Sequence, residues 1–417
     1  MNRKQAPEIA TVNHVSFVEP IHHQLGGDVK LHWIRDVKDN AFKVDLIFDA
    51  GTIKADRLVA KFCADLLLSG TNKFSSDEIN ERIDSLGGFV NLDVTADDAT
   101  ISIYGLTEHF DTLILEVLTA ISEVNFPDRE FEQLLQSKKQ GYQVAQQKVA
   151  VRARRLFMTH LFEGTPYARQ TELADFDILQ KKDIIEFHQL SYLKGLQKVC
   201  VIGNLSKVSL DSLVERIKPF CSLSRDHVSH LFNYSPQRLH EDKADAVQTA
   251  LRIGRQLFNR THPDYNGFTV LNTILGGYFG SRLMSSIREE KGFTYGIGSG
   301  VAQSKKMGYF FISTEVGKSV AEEAITEIRA QIERLQTELV SAEELDLVRN
   351  YSIGQVLKNS DGPFAMMDRY LAVEEHGMDF SYYDSLLHTY NTITAADIRS
   401  LAQKYLKWED LLVISAG

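Results

Sequence analysis

The residues best suited to chemistry come in short-range pairs. His227 and His230 stand three apart, His22 and His23 are adjacent, and His160 and Glu163 are spaced to share a helix face. Imidazole binds zinc, but a zinc site needs three or four converging ligands held by an ordered outer layer of hydrogen bonds. Two histidines in the polar stretch around 227–230 do not supply that. His160 with Glu163 reads as a pair on a helix surface. Cys63, Cys200 and Cys221 are too few, and odd in number, for a disulfide framework. Reduced thiols suggest a cytoplasmic chain, or a periplasmic one if a leader once preceded it. Arg288 and Tyr295, seven apart with Gly292 between them, bring a planar guanidinium and a phenol together in sequence. Taken alone, Arg288 also fits a surface cation on a helix, and Tyr295 a strand residue in a core.

The elements that must position such residues are read from periodicity. Val44, Leu46 and Phe48 alternate as in a strand, as do Ile101 and Ile103. Ile114, Val117, Leu118 and Ile121 recur at helical spacing, and so do Ala321, Ala324, Ile325, Ile328 and Ile332. The 417 residues are 43% hydrophobic and 24% charged, which suggests two or three domains with substantial cores. A net charge of -10 without a Lys/Arg-rich run argues against nucleic acid as a partner. No run approaches the roughly 18–20 apolar residues of a membrane helix, so no membrane partner is expected.

The chain is written twice. LLLSGTNKFSSDEINERIDSLGG (66–88) is echoed by TILGGYFGSRLMSSIREEKG (273–292), and each is followed by two strand-like runs and a long amphipathic helix. Asp183–Ile184, Tyr192–Leu193 and KVCVIGN (198–204) return as Asp397–Ile398, Tyr405–Leu406 and LLVISAG (411–417), at intervals of 213 or 214 (397 − 183; 405 − 192). We therefore expect an α+β fold of two tandem homologous domains, 1–222 and 245–417, each a mostly antiparallel sheet with helices packed on one face. The polar stretch 223–244 reads as a linker.

The run AGTIKADRLVAKFCADLLLSGTNKFSSDEINERIDSLGGFVN (50–91) resembles the first motif region of the pitrilysin and mitochondrial-processing-peptidase family of inverted-motif zinc peptidases, and the duplicated halves fit the same family. Active members carry H-x-x-E-H on a helix, two ligands on one face with the general base between them. Aligned on Ser69–Gly70–Thr71, those positions are Lys61, Ala64 and Asp65. A protonated lysine has no lone pair, alanine no base, and one aspartate is a weak anchor. The family's third ligand, a glutamate about 76 residues on, falls in QSKKQGYQ (136–143), which holds no acid. The resemblance thus implies no metal and no cofactor in this chain. Lys61 and Asp65, at i and i+4, are expected either to pair with each other or to point into solvent.

GSRLMSSIREEKGFTYGIGSG (280–300) resembles the R-E-x-x-G-x-x-Y segment of the family's second half. There the arginine and tyrosine hold the substrate backbone and the carbonyl oxygen under attack, so the resemblance gives Arg288 and Tyr295 that role, with Phe293 and Ile297 packing as core. LGGYFGS (275–281) is too short for the long glycine-rich loop of the noncatalytic mitochondrial subunit, so a bacterial relative is the better match. The expected function is a noncatalytic subunit pairing with a zinc-bearing homologue to cleave peptides, the zinc being the partner's. A scaffold or binding protein without proteolytic role is the alternative. An independent peptidase with unusual ligands is disfavoured because no other ligand and base set appears.

Overall fold

A computed structural model describes residues 11–26, 29–35, 37–55, 58–221 and 234–417. Its compact units are one of 18–151 with 158–221, and one of 235–417 with 11–17 and 152–157. The pair His227 and His230 lies outside the described residues.

The first unit is built on six strands, β1 (Ile21–Gly26), β2 (Val29–Ile34), β3 (Ala41–Phe48), β4 (Phe89–Val94), β5 (Ala99–Leu106) and β6 (Leu196–Ile202). Their order is β1-β2-β6-β3-β5-β4, antiparallel except where β2 meets β6. Val44, Leu46 and Phe48 face the core at 1% exposure or less, as the alternation predicts. The other face of β3 is buried too. There Lys43 pairs with Asp45 at 2.9 Å, and Asp45 also accepts from the Ser102 hydroxyl at 2.6 Å, so these polar groups are satisfied rather than stranded. Helix Phe110–Ser122 buries Leu113, Ile114, Val117, Leu118 and Ile121 in the same core, the face its period marked.

The second unit carries five strands: β7 (Arg238–Glu241), β8 (Gln248–Leu257), β9 (Ile297–Gln303), β10 (Gly308–Gly317) and β11 (Leu412–Ala416). They run β7-β11-β8-β10-β9, with one parallel pair, β7 beside β11. Strand for strand this is the first sheet without β1. β7 falls inside 223–244, where no period marked a strand; at four residues it is too short to show one.

Register makes the duplication specific. Val44 pairs with Val201 and Ile103, and Leu251 pairs with Ser415 and Thr314. Ile103 in turn pairs with Val90, and Thr314 with Ile297. The interval is 207 for Val44–Leu251 and for Val90–Ile297 (251 − 44; 297 − 90), but 214 for Val201–Ser415 (415 − 201). Ile103 and Thr314 stand 211 apart (314 − 103), so four of the seven added residues lengthen the β9–β10 hairpin, two in each strand, and three lie between Thr314 and Ser415.

Candidate functional site

Helix Val59–Asp65 holds the three positions of the absent zinc motif. Phe62 and Cys63 are buried on its inner side, which packs against helix Lys181–Ser191. Ala64 is buried as well, while Lys61 and Asp65 are exposed. Asp65 pairs not with Lys61 but with Lys138, at 2.7 Å. Lys138 belongs to QSKKQGYQ on helix Asp128–Ala145, so the segment in which the third ligand was sought supplies a cation instead. The geometry is a surface ion pair where metal ligands would converge. Cys63 offers no substitute, because burial pushes its thiol well above the ordinary range and metals bind thiolate. These residues do not fit zinc. Among the described residues no group of three or more His, Cys, Asp or Glu side chains could hold a metal. His22 Nδ1 lies 2.9 Å from His32 Nδ1, a contact between the neighbouring strands β1 and β2. His160 and Glu163 do not share a helix, since that helix ends at Leu161.

The second-half segment is built differently. Helix Tyr265–Asn272 widens into a π turn at Thr273–Gly277, and a second π segment spans Met284–Glu290. Such turns are rare and gather at functional positions. Gly276 is where the first turn meets β9. A Cβ there would stand 2.6 Å from Ser299 Oγ and 2.7 Å from its backbone nitrogen, so only glycine permits the approach. The second segment is pinned from three sides. Leu283 and Ile287 are fully buried, Arg282 grips Glu344 with two hydrogen bonds of 2.9 and 2.8 Å, and Ser286 donates to Glu327.

Arg288 rides on this fixed turn, half-buried, its guanidinium carbon 4.7 Å from the centre of the Phe279 ring. No carboxylate among the described residues pairs with it. Gly292 adopts φ +65°, the left-handed conformation that ends the turn. Beyond it, Thr294 donates to the Glu315 carbonyl at 2.8 Å and accepts from the Gly296 N–H at 3.1 Å. Tyr295 sits between these anchors with 95% of its surface exposed, so it is not a core residue. Ile297 is buried and Phe293 half-buried. Phe279, 65% exposed, completes a cluster of cation and aromatic faces. In sequence its one local signal is an aromatic pair between glycines, GGYFG (276–280). The Arg282–Glu344 clamp spans 62 residues and leaves no local signal.

A twice-written α+β chain with this arginine–tyrosine segment has the architecture of a duplicated zinc-peptidase half. Residues 33–175 match the family described as insulinase (peptidase family M16), and residues 179–351 match the peptidase M16 inactive domain. The chain belongs to peptidase family M16, as a homologue without the zinc motif. It is 22% identical to an uncharacterized zinc protease of Rickettsia bellii over 88% of this chain and 90% of that protein. It is also 22% identical to a probable inactive metalloprotease of Bacillus subtilis, over 58% of this chain and 57% of that one. The crystal structure of a peptidase M16 inactive domain from Pseudomonas fluorescens superposes with a TM-score of 0.85, covering 96% of this chain and 98% of that one at 21% identity. That likeness shows the fold.

Proposed function

We propose that this chain is the noncatalytic, substrate-holding subunit of a two-chain peptidase, paired with a homologue that carries zinc. The carrying observation is Tyr295. Its neighbours are tied down by hydrogen bonds while 95% of its own surface is exposed. Folding alone gives no reason to anchor an aromatic in water, whereas presenting a phenol to a ligand does. Arg288 supports the reading because its guanidinium, turned over Phe279 and paired with no carboxylate among the described residues, keeps its donors available.

A peptide carbonyl lying across this segment would receive the phenol O–H and a guanidinium N–H on its oxygen. Both donors strengthen as negative charge builds there, the basis of oxyanion stabilisation. Metal, water and base belong to the partner, since Lys61, Ala64 and Asp65 supply none of them. Soluble peptide is the expected substrate and a cytoplasmic setting the expected one; no described helix is long and apolar enough to cross a membrane.

The test is turnover of the reconstituted complex. Arg288→Ala and Tyr295→Phe should each lower kcat about a hundredfold without preventing assembly, the loss of one oxyanion donor costing on the order of 3 kcal/mol. Arg288→Lys should fare little better than alanine, because it keeps the charge and loses the planar fork. Variants that melt early yet turn over normally would make these residues structural, and the scaffold reading would replace this one.

A further inference from the structure

The helices of the second unit line an open pocket of about 230 Å3 whose lining chemistry the peptidase reading does not use. It lies between helices Tyr265–Asn272, Ala342–Lys358, Gly362–Glu374 and Ser381–Thr392. Arg260 and Arg369 reach its wall, and no aspartate or glutamate among the described residues lines it. Both arginines are half-buried, and neither pairs with a carboxylate among the described residues. Half-buried cations without a counter-charge are costly unless an anion arrives.

Both guanidiniums line one pocket with Tyr383, whose phenol burial pushes up while Arg369 and Arg260 act on it in the opposite direction. That hydroxyl donates to the Arg369 carbonyl at 2.8 Å. Arg260 Nε is buried with no hydrogen-bond partner, and its guanidinium carbon stands 5.7 Å from the centre of the Tyr382 ring.

The rest of the wall is aromatic. Tyr265, Tyr351 and Tyr390 join Tyr382 and Tyr383. Tyr382 donates to Asn266 Oδ1 at 2.7 Å, and Tyr390 bonds Thr269 at 3.2 Å, so the rings are fixed in orientation. Burial also pushes the Tyr265, Tyr382 and Tyr390 phenols up, so no phenolate answers the two cations. Fixed rings suit a flat apolar body, and guanidiniums suit a carboxylate or phosphate oxygen pair. Drug-sized sites run to roughly 300–1,000 Å3, so the occupant here is smaller.

We propose that this pocket binds a small aromatic oxyanion, its ring between the tyrosines and its charged group between Arg260 and Arg369. The probe is 4-hydroxyphenylacetate, titrated calorimetrically into the full chain, with inorganic phosphate and neutral benzyl alcohol as the other arms. One molecule should bind per chain with a Kd of about a millimolar or tighter, as suits so few atoms. Arg260→Gln and Arg369→Gln should each weaken it at least about tenfold. The thermal melting of each variant, compared with that of the native chain, controls for folding. Several results would overturn the proposal. They are no saturable binding by the native chain, undiminished binding by a folded Arg260→Gln/Arg369→Gln double variant, or benzyl alcohol binding as tightly as the acid. Phosphate binding as tightly as the aromatic acid would overturn it too, since the rings would then select nothing.

Discussion

At the scale of the residue, this chain exchanges a metal-binding surface for a surface ion pair. Asp65 and Lys138 are about a third and a half exposed, so their bond contributes only about 0–1 kcal/mol. The pair therefore does not explain the fold; its consequence is for metal binding. The purified chain should hold well under one zinc per molecule by elemental analysis. A ratio near one that falls with Asp65→Ala or Lys61→Ala would reverse the assignment. The absence of ligands at 61, 64 and 65 is legible in the sequence, because residue type alone decides it. The choice of Lys138 as partner is not, because it depends on which helix faces which across 73 positions (138 − 65).

Elements explain why the markers of duplication are the residues they are. Asp183 and Asp397 sit three residues past their helix caps and accept from the cap N–H groups, of Gln180 at 3.1 Å and Thr394 at 2.9 Å. Both close a capping box. The repeat visible in sequence is thus a repeated helix start, followed by a buried leucine or tyrosine at the helix end and a strand. Asp397→Ala should cost about 1 kcal/mol, read as a lowered Tm. Gly276→Ala should cost more, because the added carbon would meet the Ser299 backbone nitrogen as well as its hydroxyl, and the Arg288 turn should shift with it. Neither π segment was legible beforehand, since a one-residue widening of a helix leaves the apolar period almost unchanged. Helix Lys181–Ser191 also gives the fold a pH dependence. His188 bonds the Ile121 carbonyl at 2.8 Å, and burial, the larger influence, pushes its pKa down. A folded state that resists the proton loses stability as pH falls below the unfolded value of about 6.5. His188→Gln should therefore melt with a shallower decline between about pH 7 and 5.5 than the native chain. Parallel decline in both would remove His188 from the explanation.

For the molecule as a whole, two homologous units were legible because strands, caps and helix ends recur in order. The interval between them was only partly so, since 207 and 214 both occur and the sequence echo at the C-terminal ends reports just the latter. A chain of a zinc-peptidase family whose own zinc positions read lysine, alanine and aspartate keeps the anchored, exposed Tyr295 and, seven residues before it, Arg288. In our proposal these residues serve another chain. The most direct measurement is the peptide turnover of a zinc-bearing homologue as this chain is titrated into it. Turnover should rise and level off near equimolar addition, and the rise should all but vanish with Tyr295→Phe despite unchanged association. Turnover unaffected by the addition, or peptide hydrolysis by this chain alone that a chelator abolishes, would contradict the account.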